Sequence, residues 1–415
     1  MTSHPTRPSA ATGKLEPVQN TALAKLLSPL GWNLLNGLPP YEESHALSLG
    51  EAMRKKGIDP ELAAAVLTQS RLRAKAHAKF GELAAGMLFT PAGLEQATRL
   101  PVAAHHAQRY RAADARHIAD LTCGIGADAM AFGALGVDVL ALDKDEATAA
   151  IATVNLRPFP NVTVAHGDCF TYELPETVDA LWADPARRSG GKRIFHVKDF
   201  SPPLDAVLDL RNRIPALGIK MAPGIPHDAI PADAEAQWVS VGGEVVEAGL
   251  WFGPLRQSPD ITRSALLLAP DGSQTLITDG DPTHRAQVPA GPVGKWVHEP
   301  DGAVIRAGLI GAIAADIAGH LLDESIAYVT TDADRDHAAT TRYRVLDVMP
   351  FNLKKLRAYL RERDVGRITI KKRGTAITPE ELRTKLGLSG SAAATIILTR
   401  IAGAHSVLIV EPATA

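Results

Sequence analysis

The first part of the chain carries apolar residues at the three- and four-residue spacing of amphipathic helices. Between residues 23 and 100 the sequence is rich in Ala, Leu, Lys and Arg, which favour helices. The run at residues 60–67 starts with a proline, which suits a first helical turn. We therefore predict a helical N-terminal domain over residues 17–110, preceded by a disordered tail at residues 1–16.

From residue 117 onward the pattern changes to short β-rich runs separated by helical stretches. This alternation predicts a parallel, doubly wound sheet, because each return to a parallel strand needs room for a helix. The last two runs lie too close together for such a helix, so we predict an antiparallel hairpin there. In the domain at residues 111–278 the predicted strands are 117–121, 137–143, 161–165, 178–184, 218–221, 244–252 and 265–268.

A third domain is predicted after a stretch rich in Pro, Gly and Asp at residues 279–292, which is typical of a linker. Residues 293–415 carry helices predicted at 303–322, 352–362 and 379–386, a strand at 367–372 and a closing hairpin at 394–410. The expected fold class is α/β. A seven-stranded Rossmann-like sheet is joined to a helical N-terminal region and a small α+β C-terminal domain.

Composition fits an ordinary globular protein with several domains. The chain has 415 residues, more than the ~250 to 300 at which single hydrophobic cores stop growing. Hydrophobic residues make up 46% and charged residues 22% of the chain, which excludes a disordered protein. Two cysteines are too few for a disulfide framework, and we expect Cys123 and Cys169 to be free.

Neither secretion nor membrane insertion is expected. Residues 1–16 lack the apolar segment of a signal peptide. The most apolar long stretch, residues 305–322, is interrupted by Arg306, Asp316 and His320, so it falls short of the ~20 apolar residues that span a bilayer. We expect a cytoplasmic protein without a metal site, and the sequence leaves its oligomeric state open.

The main chemical signal is Ile118-Ala-Asp-Leu-Thr-Cys-Gly-Ile-Gly-Ala-Asp128, in which a strand runs into a glycine turn and then a helix. Gly124 and Gly126 let the backbone pass close to a ligand, and the helix start offers amide donors. Nicotinamide-binding domains share such a turn. Asp120 and Asp128 favour a different ligand, because they would repel a pyrophosphate but attract the cationic groups of S-adenosylmethionine.

Three further strands end in carboxylates in the order that S-adenosylmethionine requires. Asp143 ends the second strand, where it can accept hydrogen bonds from both ribose hydroxyls. Asp168 follows the third strand, where it can accept from the adenine amino group. Asp184 ends the fourth, where the methyl acceptor is expected. Each signal alone could be only a turn or a helix cap, but four in order favour a ligand site at this edge of the sheet.

These motifs resemble those of class I methyltransferases, and Asp-x-x-Cys-Gly-x-Gly is similar to the form seen in RNA and DNA amine methyltransferases, including trimethylguanosine synthase. Met87-Leu-Phe-Thr-Pro91 resembles the segment by which that enzyme's N-terminal lobe closes over the cofactor. A core aromatic residue and a helix cap are the alternatives there. The cofactor-binding residues that the resemblance implies are Phe89, Thr90, Asp120, Cys123, Gly124, Gly126, Asp143, Lys144, Asp168 and Cys169.

The fourth motif departs from that family. Amine methyltransferases have Asp/Asn/Ser-Pro-Pro-aromatic at this point, which holds the target amine and stacks on the base. This chain keeps Asp184 and Pro185 but continues with Ala186 and Arg187, whose guanidinium can stack on a base or hold a phosphate. The resemblance implies Asp184, Pro185 and Arg187 as catalytic residues. The candidate substrate-binding residues of the next loop are Arg188, Lys192, Arg193, Phe195 and Lys198.

The C-terminal sequence resembles the THUMP-like domain of a group of bacterial methyltransferases, at residues 343–354, 368–374 and 393–400. That resemblance implies RNA as a partner. Charge supports it separately, because residues 342–400 hold 14 Lys and Arg against 5 Asp and Glu in a chain of net charge −2. A basic module is typical of phosphate contact, with Lys371, Lys372 and Arg373 as candidates. A solvated helical face is the alternative.

The sequence thus predicts an S-adenosylmethionine-dependent methyltransferase that N-methylates a base of tRNA or rRNA by direct in-line transfer. Three alternatives stay open. The first is an enzyme that methylates a small molecule or a protein, and the second is a non-catalytic RNA-binding module that senses the cofactor. The third is a nicotinamide-dependent oxidoreductase.

Overall fold

The computed structural model describes residues 21–187 and 200–413, except the side chains of Thr21 and Arg187. The chain divides into two compact units, Met1–Ala183 and Asp184–Ala415. The predicted tail at residues 1–16 lies outside the described residues. So do five candidates of the loop after the fourth motif, which are Arg188, Lys192, Arg193, Phe195 and Lys198.

The first unit opens with helices, which confirms the helical N-terminal region. Side chains that satisfy free backbone groups set several helix starts. Asp59 accepts a hydrogen bond from the Leu62 amide at 2.9 Å, and Pro60 occupies the first turn of the longest helix. The helices are α1 (Thr21–Leu27), α2 (Pro29–Asn36), α3 (Ala46–Lys55), α4 (Pro60–Phe80), α5 (Pro91–Gln96) and α6 (Leu100–Ala112).

Four parallel strands and two helices complete the first unit. The strands lie in the order β4-β1-β2-β3, so their carboxyl ends meet at one edge. Strands β1, β2 and β4 are buried along most of their length, as expected for a parallel sheet covered by helices, whereas the edge strand β3 is partly exposed. The elements are β1 (His117–Asp120), α7 (Ala127–Ala134), β2 (Asp138–Asp143), α8 (Glu146–Leu156), β3 (Val162–His166) and β4 (Ala180–Ala183).

A buried polar cluster joins α6 and α7. Asp128 is 6% exposed, and its carboxylate accepts from the Thr98 hydroxyl at 2.8 Å and contacts the His106 ring at 2.8 Å. Tyr110 donates to the carbonyl of Leu181 at 2.5 Å. Asp128 is therefore engaged inside the first unit. The sequence led us to expect that Asp128 would repel a pyrophosphate, but its carboxylate is buried against Thr98 and His106.

The second unit begins with strands that run mostly antiparallel. Strand β9 pairs antiparallel with both β7 and β8, while β10 pairs parallel with β8 and antiparallel with β11. These five strands lie in the order β11-β10-β8-β9-β7. The elements are β5 (Ala186–Arg187), β6 (Phe200–Ser201), α9 (Leu204–Asp209), β7 (Ala216–Met221), β8 (Glu235–Val241), β9 (Glu244–Trp251), β10 (Arg263–Leu268) and β11 (Gln274–Thr278).

The predicted hairpin between residues 244–252 and 265–268 is wrong, because β8 lies between those two strands in the sheet. Sequence reasoning missed β8 because it carries Glu and Gln at buried positions. Glu235 is fully buried, and it accepts from the Ser264 hydroxyl at 2.9 Å and from the Gln257 amide at 2.8 Å. Hydrogen bonds offset the cost of burying these polar groups.

A seven-stranded sheet forms the C-terminal part, in the order β13-β14-β12-β15-β18-β17-β16. All neighbouring strands are antiparallel except β16 and β17. The elements are β12 (Trp296–Pro300), α10 (Gly302–Ala307), α11 (Ile310–Asp316), β13 (His320–Asp323), β14 (Ile326–Thr331), β15 (Thr340–Pro350), α12 (Leu353–Glu362), β16 (Val365–Lys372), α13 (Pro379–Leu386), β17 (Ala392–Ile401) and β18 (Ala404–Pro412).

The helix predicted at residues 303–322 is wrong as a single element. Gly308 follows α10 with a φ of 74°, a left-handed conformation that ends the helix, and α11 and β13 use the remaining residues. Helices α12 and α13 and the closing hairpin of β17 and β18 form where they were predicted. Among the described residues, no helix combines the length and apolar character needed to cross a membrane.

Helices α12 and α13 cover one face of this sheet. Their buried leucines pack with apolar side chains of β16, β17 and β18 to form one core. Leu356 and Leu382 have no exposed surface, whereas Leu346 on β15 is 51% exposed. Leu382 is therefore a residue on which the packing of this domain depends.

We expect Leu382→Ala to lower the free energy of unfolding by about 2 to 5 kcal/mol, because it removes buried apolar surface and leaves a cavity. Leu346→Ala is the matched control and should change it by less than about 0.5 kcal/mol. Urea unfolding of both variants, followed by circular dichroism, measures the difference. Equal effects of the two substitutions would contradict this packing.

Candidate functional site

The glycine turn lies between β1 and α7 and is held by backbone contacts. The Cys123 amide donates to the Leu142 carbonyl at 2.8 Å, which ties the turn to β2. Gly124 and Gly126 have φ values of 55° and 92°, conformations that favour glycine. A Cβ on Gly126 would lie 2.9 Å from Leu156, whereas one on Gly124 would meet only open space. The turn thus exposes its backbone at Gly124.

Asp143, at the end of β2, is fastened to this turn. Its Oδ2 accepts from the Gly124 amide at 3.1 Å, and its Oδ1 accepts from the Asp145 amide at 2.9 Å. Burial raises the pKa of the Asp143 carboxyl above its usual range. A half-buried carboxylate therefore lies directly beside an open stretch of backbone, which is the arrangement that a ribose with two hydroxyls needs.

Asn155 of α8 joins a third segment to the turn, and sequence reasoning missed it. It is 2% exposed. Its amide nitrogen donates to the carbonyls of Leu88 and Ile125 at 3.0 and 2.9 Å, and its oxygen accepts from the Leu88 amide at 2.7 Å. Gly93 adds a close approach, because a Cβ there would lie 2.6 Å from Ile125. The segment around residue 88 thus packs on the glycine turn.

Phe89 and Thr90 occupy that segment. The Phe89 ring is 1% exposed and lies 5.7 Å from the Phe80 ring. The Thr90 hydroxyl accepts from the Gly93 amide at 2.9 Å and so caps α5. These contacts are the core aromatic residue and helix cap that the sequence left open as alternatives. Cofactor contact by either residue stays a prediction.

Asp120 ends β1 and Asp168 follows β3, at the same edge of the sheet. Asp120 is 1% exposed, and its Oδ1 accepts from the Thr122 amide at 3.3 Å. Asp168 is exposed, and its Oδ1 accepts from the Phe170 amide at 2.9 Å. Lys144, directly after β2, is exposed as well. The candidates of the first unit therefore include carboxylates of very different accessibility.

Both cysteines are free thiols and buried. Burial raises the pKa of Cys123 well above its usual range and that of Cys169 to about 11. Both are therefore neutral near pH 7 and unsuited to nucleophilic attack. Among the described residues, no three His, Cys, Asp or Glu side chains are grouped to hold a metal ion.

Asp184 forms an ion pair that the sequence did not predict. The ammonium of Lys220, near the end of β7, donates to Asp184 Oδ2 at 2.6 Å. The side chain of Asp184 is 31% exposed and that of Lys220 is 14% exposed. Pro185 is buried, and the backbone of Arg187 belongs to β5. Sequence reasoning could not find Lys220, because 35 residues separate it from Asp184.

The basic run at the end of β16 faces two directions. Lys371 and Arg373 both point at Glu299 of β12, with nitrogen-oxygen distances of 3.1 and 3.8 Å. Lys372 points the other way and is exposed, as strand alternation requires. The structure thus brings Lys371 and Arg373 together around a carboxylate and separates Lys372 from them.

Comparison with known proteins identifies the family. A model for a THUMP domain-like family matches residues 340–412, and a domain of unknown function matches residues 20–76. An uncharacterised S-adenosylmethionine-dependent methyltransferase of Mycobacterium tuberculosis, found in two strains, is 37% identical over 340 residues. The match covers 80% of this chain and 90% of that relative. The chain therefore belongs to the S-adenosylmethionine-dependent methyltransferases.

A solved structure shares the fold. A crystal structure of a protein assigned as a methyltransferase, from Porphyromonas gingivalis, superposes with a TM-score of 0.71 at 20% identity. The match covers 91% of this chain and 100% of that one. The predicted α/β methyltransferase fold, the THUMP-like C-terminal region and S-adenosylmethionine as cofactor are thus confirmed. The open backbone at Gly124 beside the Asp143 carboxylate fits the nucleoside of that cofactor.

Asn155→Ala should lower the free energy of unfolding by about 2 to 4 kcal/mol, since each buried polar group left without its partner costs roughly 1 to 3 kcal/mol. It should also weaken S-adenosylmethionine binding, because the glycine turn loses its support. Asn161→Ala is the control. Asn161 donates to the carbonyls of Gly133 and Val137 at 3.0 and 2.6 Å, away from the turn. The Asn161→Ala variant should also have a lower free energy of unfolding, but its Kd for S-adenosylmethionine, measured by calorimetry, should not change. Equal Kd values for the Asn155→Ala and Asn161→Ala variants would contradict the role of Asn155 in supporting the turn.

Asp143→Ala should raise the Kd for S-adenosylmethionine at least about 30-fold, because hydrogen bonds to a charged acceptor contribute roughly 1.5 to 3 kcal/mol each. Asp138→Ala, at the exposed opposite end of β2, should leave the Kd unchanged. Isothermal titration calorimetry compares the two. A normal Kd for Asp143→Ala would show that the ribose is bound elsewhere.

Proposed function

We propose that this methyltransferase acts in the cytoplasm and N-methylates a base of tRNA or rRNA. The observation that carries the proposal is the basic THUMP-like region, in which residues 342–400 hold 14 Lys and Arg against 5 Asp and Glu. Such a concentration of cations attracts a phosphate backbone by releasing its counterions. The domain boundaries proposed are 17–110, 111–278 and 293–415, with a linker at 279–292.

The cofactor is proposed to lie along the carboxyl edge of the parallel strands. Asp143 would accept from the ribose hydroxyls, and Asp168 from the adenine amino group. Asp120 would face the cationic amino acid part, and the backbone at Gly124 would lie against the nucleoside. Bound S-adenosylmethionine supplies a methyl group activated by a positively charged sulfur. The further proposed contacts are Phe89, Thr90, Cys123, Gly126, Lys144 and Cys169.

The acceptor is proposed to bind at Asp184. This residue directly follows β4, whose Trp182 carbonyl accepts from the Leu121 amide at 2.9 Å at the start of the glycine turn. Asp184 would accept a hydrogen bond from the target nitrogen and hold its lone pair in line with the methyl group. Pro185 would fix the backbone there, and Arg187 would stack on the base or hold a phosphate.

Lys371, Lys372 and Arg373 are proposed as phosphate contacts of the C-terminal domain. Lys372 is exposed, and the side chains of Lys371 and Arg373 keep 40% and 32% of their surface exposed. Exposed cations of this kind can contact a backbone phosphate without losing the support of Glu299. Arg188, Lys192, Arg193, Phe195 and Lys198 are proposed as further contacts near the acceptor.

A non-catalytic RNA-binding module that senses the cofactor is the second candidate. The observation that favours it is the fourth motif, in which Ala186 and Arg187 stand where amine methyltransferases have a proline and an aromatic ring. This candidate predicts cofactor binding without methyl transfer, so one assay separates it from the first.

The test is transfer of tritium from labelled S-adenosylmethionine to total RNA from a strain in which the gene is deleted. We expect label in nuclease-sensitive material, and Asp184→Ala should reduce it at least about 100-fold because the target nitrogen loses its acceptor. Asp228→Ala, an exposed carboxylate outside the site, should retain it. Cofactor binding without any label in RNA would contradict the proposal, as would full transfer by Asp184→Ala.

A further inference from the structure

The ion pair between Lys220 and Asp184 changes the charge that a methyl acceptor meets. Lys220 Nζ lies 2.6 Å from Asp184 Oδ2, and both side chains are largely screened from water, with 14% and 31% of their surface exposed. An ammonium and a carboxylate in contact stabilise each other's charged forms. Within the pair, the positive charge of Lys220 therefore lies directly against the negative charge of Asp184.

Methyl acceptors differ in charge, and this ion pair interacts differently with neutral and with cationic acceptors. An alkylamine, such as the lysine side chain of a protein or a polyamine, is a cation at pH 7, because its pKa lies near 10. The exocyclic amine or ring nitrogen of a nucleobase is neutral. A lone carboxylate would favour the cation. A carboxylate that already pairs with Lys220 attracts a protonated alkylamine less strongly, and the Lys220 ammonium repels that cation.

We propose that Lys220 is a specificity-determining residue that selects a neutral acceptor nitrogen at Asp184 and disfavours protonated alkylamines. The inference rests on the proposed function, because it takes Asp184 as the residue that holds the acceptor. Lys220 also positions the carboxylate, since its hydrogen bond fixes Oδ2 and with it the orientation of the whole group. The acceptor class that follows is a nucleobase and not a basic side chain or polyamine.

A purely structural ion pair would behave differently in substitution experiments. Loss of a structural pair lowers stability, and methyl transfer then falls only as folded protein is lost. Loss of a specificity residue changes the ratio of rates on neutral and cationic acceptors in protein that is still folded. Lys220→Arg keeps the positive charge and a donor at this position, whereas Lys220→Met keeps the length of the side chain without either.

The experiment measures tritium transfer from S-adenosylmethionine to two sets of probes. One is total RNA from the gene-deleted strain, and the other is spermidine together with a lysine-rich peptide. The proteins are the wild type, Lys220→Met, Lys220→Arg and the control Lys25→Met, which breaks a Lys-Asp ion pair with Asp59 in the helical region. Cofactor affinity is measured for each, so that misfolded protein is recognised.

We expect the wild type to label RNA and leave the amines at background. Lys220→Met should transfer to RNA at least tenfold more slowly, mainly through kcat, and it should label the amines at least tenfold above the background seen with the wild type. Lys220→Arg should recover a large part of the RNA rate. Lys25→Met should match the wild type.

Three results would overturn the inference. Full RNA transfer with an unchanged labelling ratio in Lys220→Met would overturn it and leave the proposed function intact. Preferential labelling of the amines by the wild type would overturn both. The third result is additivity. If the losses of thermal stability caused by Lys220→Met and Asp184→Asn simply add in the double variant, the two side chains do not act as a pair.

Discussion

The candidate cofactor site depends on the buried amide of Asn155. Its three hydrogen bonds join the backbone at Leu88 to the backbone at Ile125, two segments that belong to different elements. A buried amide of this kind holds its position because each polar group left unpaired would raise the free energy of the folded state. The glycine turn is thus fixed before any ligand binds, and Asp143 is fixed to it through Gly124.

The local sequence pattern was sufficient to predict much of the fold. The strands β1 to β4, the capped helix α4 and the helices α12 and α13 follow from apolar spacing, prolines and turn residues. Strand β8 did not follow, because Glu235 and Gln237 are buried there against Ser264, a partner far along the chain. The broken helix at Gly308 shows the same limit, since one glycine outweighed a long apolar run.

The candidate site was predictable where motif and strand end coincide. Gly124, Gly126 and Asp143 lie together as their order along the strands implied. Pairs between distant residues were not predictable, because no periodicity links their positions. Lys220 with Asp184 and Glu299 with Lys371 are of this kind. The first of these pairs sets the local charge at Asp184, where the acceptor is proposed to bind. The sequence therefore indicates the cofactor more readily than the acceptor.

A crystal structure grown with S-adenosylhomocysteine would show whether S-adenosylmethionine binds at the open turn beside Asp143. We expect ligand density against the backbone of Gly124, with both ribose hydroxyls about 2.5 to 3 Å from the Asp143 carboxylate. Ligand density at another place, or an empty turn at saturating ligand, would contradict it.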